Sequence, residues 1–126
     1  MNDDRPAQLL VQVKTEDGDP DEIDRLTRQL LLELREEDVE SAELAREDNL
    51  PPGAKSVEAV TLGAIVMAVL PNAIPKIIEL VQSWIERGTG RNVVFKGQIN
   101  GENVEFEGSS KDFKIFLESL KKSDSK

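Results

Sequence analysis

The chain has no cysteine, no histidine and no tyrosine, and a single tryptophan. Without cysteine there is neither a disulfide framework nor a thiolate zinc site, and nothing calls for an oxidising compartment. Without histidine, cysteine or tyrosine, nucleophilic and general-base chemistry would fall to serine, threonine, lysine or carboxylates. No spacing in the sequence singles out such a group, so no catalytic residue, cofactor site or metal site is assigned and the chain is not expected to be an enzyme. An excess of positive charge is missing too. Residues 1–56 carry 16 acidic against 7 basic side chains, a balance of -9, while residues 57–126 carry 9 against 9. An acidic front half repels phosphate backbones, so nucleic-acid binding is not expected. The opening stretch MNDDRPAQ is acidic and polar where a secretory leader needs a basic start and an apolar run, so a cytoplasmic location is expected.

Two short stretches imitate known sites and fail on spacing. In DGDPDE, Asp17, Asp19 and Asp21 alternate like the start of a calcium loop. Glu22 stands where that loop needs glycine, and Arg28 where it needs the bidentate glutamate, so calcium binding is not expected. RGTGR, residues 87–91, has two glycines but neither the Walker spacing nor the Lys-Ser/Thr that follows it. It reads as a helix stop and turn.

A chain of 126 residues makes about one domain, and 1–126 is read as a single α+β unit with flexible ends at 1–7 and 122–126. QLLVQVK, residues 8–14, alternates as a strand. Asp19, Pro20 and Glu22 supply an N-cap, a first-turn proline and a capping-box partner. Ile23, Leu26, Leu30 and Leu34, with Leu31 beside them, then form one helical stripe. VESAELA, residues 39–45, is a weaker strand, and the three elements together predict a βαβ crossover with parallel strands. Residues 46–56, with two prolines and a glycine, form an internal linker. Near the end, Asn100-Gly101 suits a two-residue hairpin turn. Counting outward from it pairs Ile99 with Glu102, Gly97 with Val104, Phe95 with Phe106 and Lys96 with Glu105. A short helix with Phe113, Phe116, Leu117 and Leu120 on one face closes the chain. The expected fold is βαβ, a long kinked helix, a β-hairpin and a C-terminal helix. Its sheet is mixed and four-stranded, with helices mainly on one face.

The stretch TLGAIVMAVLPNAIPKIIELVQSWIERG raises the main question. Ala59 to Leu70 has one polar side chain, Thr61, and spans about 18 Å as a helix. A membrane crossing needs roughly 20 apolar residues. Extension to Ile85 brings in Lys76 and Glu79, at a cost of ~2.5–3.5 kcal/mol per charge. The second half is amphipathic, with Ile74, Ile77, Ile78, Val81, Trp84 and Ile85 on one side. Residues 57–87 are therefore read as one helical segment kinked at Pro71, or a helix pair. Its apolar first half needs cover on every side. Either the other helices and the proline-rich loop supply it, or part of the surface of Leu62, Ile65, Val66 and Val69 is left for self-association, a partner or conditional membrane contact. Ile77, Val81 and Trp84 extend that candidate interface as aliphatic and aromatic anchors.

The motifs LELREE, LPPGAKS, VTLGAIVMAVLPNAIPKIIELVQSWIERG and VVFKGQINGENVEFEG, in this order over about Leu9 to Leu120, resemble the effector-associated constant component family. These are small bacterial proteins that accompany variable effectors, such as caspase-like or trypsin-like proteases, in NTP-dependent conflict and immune systems. The resemblance implies a non-enzymatic accessory or adaptor beside an effector, and it transfers no catalytic residues. In an adaptor the central helix would dock the effector or a second copy of the chain. The alternative is a latent membrane-disrupting toxin, in which a partner protease cutting near Asp17 or Asp48 frees residues 57–87.

Overall fold

A computed structural model describes residues 6–46, 48–49, 63–99, 102–108 and 115. The first strand, β1 (Ala7–Thr15), alternates as its sequence requires and leads through a tight turn into helix α1 (Pro20–Arg35). In that turn Asp17 Oδ1 accepts from Thr15 Oγ1 (3.0 Å), while Gly18, at φ 67°, donates its N–H to the same hydroxyl. Asp19 caps α1 by accepting from the Asp21 N–H at 3.1 Å, and Pro20 opens the helix without forfeiting a bond. The acidic alternation is thus absorbed by turn and cap. Among the described residues no group of acidic side chains is arranged to hold a metal ion.

After α1 come β2 (Ser41–Leu44), β3 (Ile65–Val69), a 3-10 turn (Pro71–Ala73), helix α2 (Ile74–Glu86), β4 (Arg91–Ile99) and β5 (Glu102–Gly108). The class is α+β, as expected. The apolar run after Gly63, however, is a strand and not the first half of a long helix. Gly63, at φ 96°, and Pro71 bracket a run too short for a helix that still buries itself. Leu70 is extended (φ -63°, ψ 143°), as a residue before proline prefers. An apolar strand covered on both faces has no alternation, so periodicity alone cannot tell it from a buried helix. Only the amphipathic second half is helical. It buries Ile74, Ile77, Ile78, Val81, Trp84 and Ile85 along the predicted stripe.

The strand order is β2-β3-β1-β4-β5, and all neighbouring pairs are antiparallel. The expected four-stranded mixed sheet is therefore corrected to an antiparallel one, five-stranded among the described residues. β1 and β2 do run the same way, but β3 lies between them, so they are not hydrogen-bonded neighbours. This is the split βαβ arrangement of ferredoxin-like connectivity, extended by β5. The hairpin has the register expected from its sequence, Ile99↔Glu102 through Phe95↔Phe106, and Lys96 meets Glu105 at 3.3 Å. Its turn residues, Asn100 and Gly101, and the predicted C-terminal helix lie outside the described residues, apart from Ile115. So do residues 50–62 of the linker and of the segment predicted to be helical.

Helices α1 and α2 contribute to a core on one face of the sheet. Leu9, Val11 and Val13 of β1, Ile65, Met67 and Val69 of β3, and Val93 and Phe95 of β4 meet Leu26, Leu30 and Leu34 of α1 and the α2 stripe. Full burial of each such aliphatic or aromatic side chain is worth about 1.5–3 kcal/mol, which makes this layer the main source of stability. The opposite face carries a smaller cluster of Leu10, Ala64 and Val66, with Ala45 packed against it. Gln12 shares the Leu10 side of β1 by alternation and is also buried. The β2 edge is blunted in the manner of natural sheets. Arg35 Nε donates to the Ala42 carbonyl and Asn49 Nδ2 to the Leu44 carbonyl, both at 2.9 Å.

Candidate functional site

Of the side chains predicted to form an interface, Ile65, Val66 and Val69 sit in β3, and Ile77, Val81 and Trp84 on the inner stripe of α2. All six are buried, and Trp84 has no exposed surface. Leu62 lies outside the described residues. The structure brings five of the six into one core with Leu9 and Phe95, and sends Val66 to the smaller cluster on the other face. Contact with a partner through them would require the sheet to open.

Trp84 is held by more than apolar contact. The Arg91 guanidinium stacks over its ring, 4.4 Å from the centroid, and Nη1 donates to the Trp84 carbonyl at 2.7 Å. This cation is therefore a second donor to a carbonyl at the end of α2 that also accepts from the Arg87 N–H at 3.2 Å. Burial, with Arg87 and Arg25 nearby, holds Arg91 below the usual arginine range, though a guanidinium stays charged at any working pH. Trp84 Nε1 and Gln12 Nε2 are buried without a hydrogen-bond partner among the described residues.

The accessible counterpart of this packing is a groove where α1 and α2 meet solvent, about 490 Å³ in volume. It is lined by Glu33 and Glu37 from α1 and the turn after it, and by Lys76, Glu79, Leu80, Ser83 and Arg87 from α2 and its end. The second set falls at intervals of three and four residues, which is the stripe of α2 left outside once the apolar stripe is buried. Arg87 pairs with Glu33, and Lys76 with Glu37 at 3.7 Å. Glu79 has no ion-pair partner among the described residues. Ser83 likewise lacks a hydrogen-bonded base there, so the groove contains no nucleophile and base held together. What it offers is a half-buried leucine framed by alternating charge, with three carboxylates against two cations. The signal available in the sequence was the polar stripe of α2. Its partners on α1 are some 40 residues away and were not evident there.

A second electrostatic cluster lies beyond β2. Arg46 pairs with Glu43 (3.2 Å) and Asp48 (3.1 Å), and Asn49 Nδ2 donates to Glu43 Oε1 at 2.9 Å. The Asn49 hydrogen bond first, and then the Arg46 charge, hold the Glu43 carboxyl below the ordinary glutamate value. This cluster ties down the edge strand.

Among the described residues no helix is long and apolar enough to cross a membrane. Compared with protein-family models, curated proteins and solved structures, the chain shows no match.

Proposed function

We propose that the chain is a non-enzymatic accessory component that docks an effector protein, such as a protease, in a bacterial conflict system, and that it docks through the outer surface of its helix layer. The observation that carries this reading is the groove lined by Glu33, Glu37, Lys76, Glu79, Leu80, Ser83 and Arg87. It combines an apolar floor with charges of both signs, which suits a complementary protein surface more than a small substrate. Support also comes from the ordered motifs that resemble the effector-associated family, and from a composition without histidine, cysteine or tyrosine. The toxin alternative requires β3 to be withdrawn from between β2 and β1, where its residues 65–68 are paired on both sides. No observation favours that cost being met.

The reading is tested by light scattering of the full chain mixed with the product of the neighbouring gene. A defined complex is expected, weakened at least tenfold by Leu80→Asp; because Leu80 is partly buried against the core, a far-ultraviolet melt of that variant checks that it is still folded at the temperature of the binding measurement. A mixture that stays monomeric at high concentration refutes the docking role. A complex indifferent to Leu80→Asp and Glu79→Lys refutes the groove.

A further inference from the structure

The two edges of the sheet are treated differently, and the difference identifies a second surface, separate from the helix groove. At the β2 edge the outward carbonyls of Ala42 and Leu44 are already taken by Arg35 and Asn49. At the β5 edge one bond fixes the phase of the ladder. Glu16 N donates to Gly90 O at 3.1 Å, so in the β1–β4 pairing the even residues of both strands, including Val94 and Lys96, bond each other. The odd residues of β4 then bond Glu102, Val104, Phe106 and Gly108 of β5. The N–H and C=O groups of Asn103, Glu105 and Glu107 point away from the sheet, and no partner meets them among the described residues. Such a row of donors and acceptors is a template for another strand.

The side chains along this edge say what kind of strand fits. Glu105 and Glu107 are 68% and 57% exposed, and each uses one carboxylate oxygen, Oε2, in its pair with Lys96 (3.3 Å) and Lys14 (3.2 Å). Among the described residues no partner meets their other oxygens, which can accept from the far side. A second copy of this chain is a poor occupant, because antiparallel self-pairing centred on the strand sets Glu105 against the other copy's Glu105. We propose that the β5 edge binds an extended protein segment that carries lysine or arginine at alternate positions. The segment adds a sixth strand and sets its cations opposite Glu105 and Glu107. The charge of -9 favours the same class of partner at longer range.

The test uses the full chain, isotope-labelled, with an eight-residue peptide alternating lysine and valine, and a glutamate-valine peptide as control. The lysine peptide should slow amide hydrogen exchange at Asn103, Glu105 and Glu107 while leaving the α1 and α2 amides unchanged. Its affinity should fall as salt is raised. Glu105→Gln and Glu107→Gln should each weaken binding about two- to fivefold, as expected for loss of one cross-strand charge pair. Three results would overturn the proposal: equal protection by the glutamate peptide, binding unaffected by both substitutions, or slow exchange at these amides in the free protein. The last would mean that the chain already covers its own edge, or pairs with itself if sedimentation also showed a dimer. Failure here leaves the helix-groove reading untouched, since that rests on Leu80 and Glu79.

Discussion

Adding a single methyl group at Gly97 tests the central register of the sheet. Gly97 lies opposite Leu9 in the β1–β4 ladder. A Cβ built there would stand 2.5 Å from the Gln8 carbonyl oxygen, 2.7 Å from Leu9 Cδ2 and 3.2 Å from Leu9 Cα. Two of these neighbours are backbone in a buried strand, so relief requires β1 and β4 to separate. Overpacking of this kind costs about 1–3 kcal/mol, offset by ~0.4–1 kcal/mol from the reduced freedom of the unfolded chain. The net expectation for Gly97→Ala is a loss of about 1–2 kcal/mol. With an unfolding entropy of about 2.1 cal/mol/K per residue over 126 residues, Tm falls by roughly 4–8 °C. Gly88→Ala is the matched control. Its Cβ would fall against the Arg91 guanidinium tip, which can swing aside at the cost of its stack on Trp84. That stack is worth up to ~2 kcal/mol on a desolvated ring, and swinging aside also releases the Arg91 bond to the Trp84 carbonyl, so any loss in this control reports the Arg91 contacts and should disappear in an Arg91→Ala background. Thermal and urea melts followed by far-ultraviolet circular dichroism and Trp84 fluorescence give both values. A Gly97→Ala protein as stable as the wild type, or more so, would refute the Leu9↔Gly97 register.

Three further outcomes follow from named contacts. Asp19→Ala removes the cap that receives the Asp21 N–H and should cost about 1 kcal/mol in urea melts, with Asp19→Asn recovering most of it. Arg35→Met combined with Asn49→Ala frees the Ala42 and Leu44 carbonyls at the β2 edge. Sedimentation velocity should then show concentration-dependent association absent from the wild type, and a strictly monomeric variant would count against edge capping. The Glu43 carboxyl, followed by carbon NMR, should titrate below the ordinary glutamate value and move back up in Asn49→Ala, whose hydrogen bond is the largest cause of the depression. Because the folded value is the lower one, the contribution of Glu43 to stability is present above the unfolded-state value and disappears as pH falls through the folded value.

The parts of the fold legible in the sequence were those decided by neighbours along the chain. The cap at Asp19, the Ile23 to Leu34 stripe and the Ile74 to Ile85 stripe each depend on contacts within one or two helical turns. The hairpin register from Ile99↔Glu102 to Phe95↔Phe106 depends on alternation on either side of a two-residue break. The site was less legible, because the groove joins Glu33 and Glu37 to a stripe of α2 that begins at Lys76, and nothing local links those stretches.

By itself, then, the sequence determined the α+β class, the acidic front half, the helix cap and stripes, and the absence of histidine, cysteine and tyrosine chemistry. Only the tertiary structure decided that Ile65–Val69 is a strand, that it enters between β1 and β2, and that six of the seven predicted interface residues, all those described, are buried. The physical reason is that an apolar run covered on all sides has no polar face to mark its period. Helix and strand are then equally consistent with its side chains, and the choice rests with the hydrogen-bonding edges that β1 and β2, distant in the chain, offer on either side.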